Sequence, residues 1–239
     1  MCGRFTIRTD AKSVGDLFSI PSVEAFEPRY NVCPTQYVPV VRLIDKTSPR
    51  ELVWMRWGLV PRWAKDLSIG ARSINARSET VEEKPTFRDA FKKRRCLVVA
   101  DGYYERITDG KKKQPYFVHF KDDRPFGFAG LWEQWTSPNE TVQTCTIITA
   151  SAVDRMGWLH ERMPVIIQPE LYAPWLSGSV GKSSTQWVYG KGFDHHSGGH
   201  RCRERSERLA RVDQTAGHTR STRRLSHAFS RMREMDYAV

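Results

Sequence analysis

Short apolar segments outnumber helical stretches along residues 1–176, and no regular strand–helix–strand alternation links them. Together these observations predict a mixed α+β domain, because a doubly wound parallel sheet requires that alternation. A third observation limits the domain. After Leu176 the apolar segments give way to SGSVGKSST and then to an Arg-, Ser- and His-rich run. Such a break reads as a flexible or weakly structured tail over residues 177–239.

Taken in order, Lys12–Phe18 reads as a short helix, and Val38–Leu43 and Leu52–Trp57 as strands. A second helix is expected over Thr86–Arg95, with Thr86 as its cap and Asp89 in its first turn. Lys92, Lys93, Arg94 and Arg95 then crowd the last turn, where cations suit the negative end of the helix dipole. The KKRR run is thus expected to be a solvated helix end rather than a DNA-reading motif. The remaining strands are Cys96–Ala100, Pro115–Phe120, Phe126–Trp132, Thr144–Thr149 and Pro164–Ile167, many bounded by Gly, Pro or Asp.

With 239 residues, 39% of them hydrophobic and 11% aromatic, the chain has material for one globular core. No apolar run reaches the roughly 20 residues that span a bilayer, and no apolar leader core follows the N-terminus. A cytoplasmic protein is expected. The five cysteines (2, 33, 96, 145 and 202) are scattered without a CxxC pair, against both a zinc site and a disulfide framework. No metal and no cofactor is expected. The net charge of +11 is split almost evenly between residues 1–176 and the much shorter tail. A basic balance suits polyanions such as nucleic acid, though solubility alone would also account for it. GKSS at 181–184 resembles the end of a phosphate-binding loop, but Leu176 stands where the first glycine is needed, so the motif fails.

Few residues in the domain can do chemistry. Cys2 follows the initiator methionine, and removal of Met1 would leave an α-amine and a thiol on adjacent carbons. Only the first residue of a chain can offer that pair. Five of the seven histidines lie in the tail. His119, within PYFVHFK, reads as a structural strand histidine. For His160, within GWLHERMPV, a structural role also comes first on its own residues. Glu105 ends ADGYYE, where neighbouring aromatics would desolvate its carboxyl and suit it to acid/base work; pairing with Arg106 is the plainer alternative. Asn75, between Arg72 and Arg77, is an amide that could orient an amine or thiolate, or simply sit in a turn.

In combination these stretches resemble the SOS response associated peptidase (SRAP) family, the abasic-site-processing proteins. The matching segments run in order: MCGRF, PRYNVCPTQ, WGLVPRWAKD, INARSETVEEKPTFRDAFKKRRCLVVADGYYE, PYFVHF, GFAGLWEQW, TIITA and LHERMPVII. The resemblance implies a single α+β domain with a barrel-like, mostly antiparallel sheet core, flanking short helices and a basic DNA-binding cleft. It implies that the mature Cys2 bonds covalently to abasic sites in single-stranded DNA, with one chain acting as a monomer. Asn75 would hold the new terminus, Glu105 would act as acid/base, and His160 would assist opening of the sugar ring. Arg4, Arg77 and Arg162 would contact phosphates, with Trp63 and Thr149 as further neighbours of the nucleotide. The chain also departs from the pattern. Arg106 stands where the family often has tryptophan, Glu161 replaces a common aspartate, and the usual C-terminal segment is not recognisable after Leu176.

The chemistry is consistent with that implication. A ring-opened abasic sugar carries an aldehyde. An α-amine of pKa about 7.7–8.0 and a thiol of about 8.5 are both partly deprotonated near neutrality. The amine would form an imine, and the tethered thiolate would close a five-membered thiazolidine intramolecularly. Imine formation also opens a route to strand cleavage by β-elimination, a minor lyase activity. Two rival readings remain. One is an N-terminal-cysteine amidotransferase or peptidase, in which the α-amine serves as base. The other is a noncovalent single-stranded DNA binder using basic and stacking side chains.

Overall fold

The computed structural model describes residues 2–45, 48–109, 112–152 and 154–180, together with the backbone of 233–237. In chain order the strands are β1 (Phe5–Ile7), β2 (Arg29–Val32), β3 (Tyr37–Leu43), β4 (Arg50–Trp57), β5 (Asn75–Arg77), β6 (Arg95–Ala100), β7 (Gly102–Asp109), β8 (Lys112–Phe120), β9 (Phe126–Thr136), β10 (Thr141–Ser151), β11 (Arg162–Pro164), β12 (Ile166–Ile167) and β13 (Arg233–Tyr237). The helices are α1 (Ala11–Phe18), α2 (Arg88–Lys93), α3 (Asp154–Gly157) and α4 (Tyr172–Ser177). The rest of the tail, 181–232 and 238–239, lies outside the described residues. No helix among the described residues is long and apolar enough to cross a membrane.

The α+β expectation holds, and so does the barrel that the resemblance implied. Strand β4 pairs with β3, β3 with β6, β6 with β9, β9 with β10, and β10 returns to β4, closing a ring. All but the last of these pairings are antiparallel. Outside the ring, β10 also carries β5 in parallel and β11 antiparallel. The second sheet runs β13-β8-β7-β1-β2, with β13 parallel to β8. Alternation along the strands explains how the two sheets combine. In β6, Cys96 and Val98 join Phe5, Tyr103 and Val118 of the second sheet in one buried cluster. Leu97 and Val99 join a different cluster with Phe18 of α1, Phe91 of α2 and Trp175 of α4. One face of the ring therefore packs on the small sheet, and the helices cover the other.

Three local expectations are corrected. Helix α2 begins at Arg88 after Phe87, with no side-chain cap, so Thr86 does not cap it. The KKRR run is not uniformly solvated. Lys92 and Lys93 are exposed, but Arg94 donates to Glu133 at 2.5 Å, and the Arg95 guanidinium lies 4.2 Å from the Phe91 ring centre and 4.7 Å from that of Trp175. The reason is that β6, buried throughout, starts at Arg95 and draws both arginines inward. The predicted strand Pro164–Ile167 is split at Val165, whose N–H bonds Ile148 and whose carbonyl accepts from Ala129.

One close approach sets the position of β5. Gly58 has φ +125°, and a Cβ there would lie 2.5 Å from the Gly70 carbonyl oxygen. The loop after β4 thereby nests against the loop before β5, with Leu59 N–H donating to Ser73 at 3.1 Å. Gly58→Ala combines a strained φ with a backbone clash and is expected to cost at least about 2 kcal/mol, read as a lowered urea midpoint. A midpoint equal to that of the wild type would show that the two loops are not held by this contact.

Candidate active site

Cys2 is placed by β1. Phe5 lies opposite Tyr103 in the antiparallel β1–β7 pair, and Tyr104 N–H donates to the Arg4 carbonyl at 2.9 Å. Continuing that ladder sets Gly3 opposite Glu105, and the Glu105 carboxylate lies near enough to act on the Cys2 thiol. Cys2 is fully buried and belongs to the cluster between the two sheets. Burial pushes its thiol well above the ordinary range, and the nearby Glu105 carboxylate pushes it further, against a bond from the Arg4 backbone. The thiol of the intact chain is therefore protonated at neutral pH.

Asn75, at the start of β5, donates from Nδ2 to the Cys2 carbonyl at 2.8 Å. Its Oδ1 is buried and has no hydrogen-bond partner among the described residues. The amide thus grips residue 2 with its donor and aims an acceptor into the same buried space. Glu105 is buried at 8% exposure on the same face of β7 as Tyr103.

His160 lies between α3 and β11. Its Nδ1 accepts from the Arg162 backbone N–H at 2.9 Å, so the neutral ring carries its proton on Nε2. Strand β11 pairs with β10 at Thr149–Ser151, and β10 holds β5 at Ile147–Thr149. The His160 loop and Asn75 therefore hang on neighbouring stretches of one strand.

The other sequence candidates fall in varied surroundings. Arg77 is exposed and opposite Thr149 in the β5–β10 pair. Arg4 is partly buried, with Nη1 donating to Asn31 at 2.9 Å. Arg162 forms a bidentate pair with Glu79, at 3.0 and 2.9 Å, and donates to the Thr149 carbonyl at 2.7 Å. Thr149 itself is fully buried, with its hydroxyl 3.5 Å from the Ala76 carbonyl. Trp63 is exposed on a loop held by a bond from the Trp135 indole to the Ala64 carbonyl. That loop packs on Val142, further back along β10 than the stretch that meets Asn75. His119 is buried at 2% exposure, stacked on Phe117 and 3.0 Å from Asp123, in agreement with a structural role.

Two supporting residues escaped the sequence reading. Asp101 was seen only as the end of a strand, yet it binds Thr6, Arg8 and Thr9 around the root of β1. Glu79, within SETVEEK, looks like one of three similar surface acids; only its partner Arg162, far away in sequence, distinguishes it.

Glu79 leads to a pH prediction. Burial alone would raise its carboxyl, but the hydrogen bonds and charge of Arg162 outweigh that, and it titrates below its ordinary value. The pair therefore stabilises the fold above the unfolded carboxyl value of about 4.3, and the contribution is lost as pH falls through the lower folded value. The urea midpoint is expected to fall over that acid window, and Glu79→Gln should lack this part of the fall. An identical acid profile in wild type and variant would remove the ion pair from the account.

Comparison with known proteins gives a consistent picture. The family model described as SOS response associated peptidase (SRAP) matches residues 1–195. The chain is 42% identical over 183 residues to the abasic site processing protein YoqW of Bacillus subtilis, covering 74% of this chain and 80% of that one. It is 32% identical to the abasic site processing protein HMCES of Xenopus tropicalis, covering 64% of this chain and 55% of that one. Among solved structures, a protein from Bordetella bronchiseptica aligns with a TM-score of 0.67 at 25% identity, covering 80% of this chain and 95% of that one.

Proposed function

Since this chain belongs to the SOS response associated peptidase (SRAP) family, we propose that it acts on abasic sites in damaged DNA, trapping them covalently through its mature N-terminal cysteine. The observation that carries this reading is the bond from Asn75 Nδ2 to the Cys2 carbonyl, with Asn75 Oδ1 buried and without a hydrogen-bond partner among the described residues. Removal of Met1 would turn the backbone N–H of Cys2, the residue that Asn75 holds by its carbonyl, into an α-amine.

Burial beside Glu105 disfavours the thiolate of Cys2, which gives the amine the first step. The amine attacks the C1′ aldehyde first, giving a carbinolamine that loses water to become an imine. The thiol then adds across the C=N bond: sulfur bonds to C1′, and the thiol proton ends on nitrogen. One water is lost overall, and nothing is oxidised or reduced. Glu105, beside the sulfur, is the group suited to carry the thiol proton and to serve the dehydration. His160, holding its proton on Nε2, is suited to donate to the ring oxygen as the sugar opens. The exposed Arg77 offers a phosphate contact, while Arg162 acts by pairing its guanidinium with Glu79 and donating its backbone N–H to the His160 ring.

The test is incubation of the processed protein with single-stranded DNA carrying one abasic site, followed by a denaturing gel. A shifted band that survives denaturation is expected, and Cys2→Ala should abolish it. Absence of that band with correctly processed wild type would overturn the reading.

A further inference from the structure

Trp158 is half exposed, unusual for an indole so close to the site, and two residues ahead of His160. Its neighbours hold it there. Met156 and Leu159 on either side are buried in the same cluster as Cys2, and Leu159 N–H bonds the Met156 carbonyl at 2.9 Å. The loop is closed by Ala152 N–H donating to the Glu161 carbonyl at 2.8 Å. The Trp158 ring meets Tyr116 edge-on, with centroids 5.3 Å apart and planes at 87°. Tyr116 lies directly opposite Glu105 in the β7–β8 pair and packs against the Cys2 cluster. The aromatic pair therefore bridges the loop that carries His160 and β8, at the position paired with Glu105 of β7.

An abasic sugar leaves the adjacent base with one face unstacked. Stacking that face on an aromatic side chain recovers the lost contact, and it tolerates any sequence because every base has a π-face. We propose that Trp158, braced by Tyr116, is the stacking platform for the nucleobase next to the abasic sugar. The proposal rests on the reading that DNA enters this site, but not on the covalent chemistry. A perpendicular contact fixes the indole while covering at most one of its two faces.

The test measures noncovalent binding of the processed full-length protein to single-stranded DNA carrying a tetrahydrofuran abasic analogue, which has no aldehyde and cannot be crosslinked. Two further oligonucleotides lack, in addition, the base on the 5′ or on the 3′ side. Wild type is expected to lose about tenfold in affinity when one of the two neighbours is missing, within the range of a single base–aromatic stack. Trp158→Ala should lose about tenfold on the first oligonucleotide and nothing further when that neighbour is removed, while Trp158→Phe stays close to wild type. Equal binding by Trp158→Ala and wild type would overturn the proposal, as would a loss in Trp158→Ala that persists undiminished whichever neighbour is absent. Wild type that binds the analogue but never crosslinks aldehyde-bearing DNA would defeat the covalent trap while leaving the platform standing.

Discussion

Cys2→Ser is expected to lose the denaturation-stable adduct with abasic DNA while keeping an imine that borohydride can trap. After Met1 removal the variant still has its α-amine, still anchored through the carbonyl that Asn75 holds. What it lacks is sulfur, and a hydroxyl is a far weaker nucleophile towards the C=N bond. The imine therefore accumulates or hydrolyses instead of closing to a ring, and β-elimination gains time to cut the strand. The expected pattern is at least a hundredfold loss of stable crosslink, given that ring closure draws on effective molarities of order 10⁵ M or more, with strand cleavage equal to or above that of wild type. A stable adduct of wild-type yield in Cys2→Ser would place the bond on nitrogen alone. Retention of Met1 predicts the opposite combination, with neither adduct nor imine, because the amine is then part of a peptide bond.

Asp101→Ala is expected to cost about 3–5 kcal/mol, the range for breaking a buried ion pair and stranding its partners. Asp101 is 1% exposed. It accepts from the Thr6 hydroxyl at 2.5 Å, from Thr9 N–H at 2.8 Å and hydroxyl at 3.0 Å, from Arg8 Nε at 3.1 Å, and from the Arg8 backbone N–H. Alanine would strip the acceptor from several buried and half-buried donors at once, so the loss exceeds that of any one bond. The same carboxylate ties β1 to the start of β7, and it therefore sets where Cys2 falls beside Glu105. Urea unfolding should register the destabilisation, and crosslinking should slow even at temperatures where the variant remains folded. A change below about 1 kcal/mol would mean that the β1–β7 backbone pairing holds the terminus without Asp101.

The strands were legible because apolar residues cluster in short runs bounded by Gly, Pro and Asp, and each predicted run lies within or across an observed strand. Ring closure was not legible from that pattern. It depends on β10 meeting both β9 and β4, a pairing between distant segments that no local periodicity encodes. Thr86 does not cap α2 because the helix starts at Arg88, one residue too late, while the buried start of β6 decides where α2 ends and how its arginines point. At the site, Cys2, Asn75 and Glu105 could be named from their types and motifs, and the structure brings these three together. The sequence could not supply the state of the thiol, since a pKa follows from burial and neighbours rather than residue type. Arg162 illustrates the same limit. In the sequence it is a cation among motif residues, whereas in the fold its guanidinium is occupied by Glu79 and Thr149.

The covalent trap is tested most directly by digesting the crosslinked complex and identifying the modified peptide by mass. The account predicts an N-terminal peptide beginning at Cys2, carrying the sugar with the loss of one water, with no thiol at Cys2 open to alkylation and no need for prior reduction. An adduct on a lysine, or one that leaves the Cys2 thiol free to react, would contradict it.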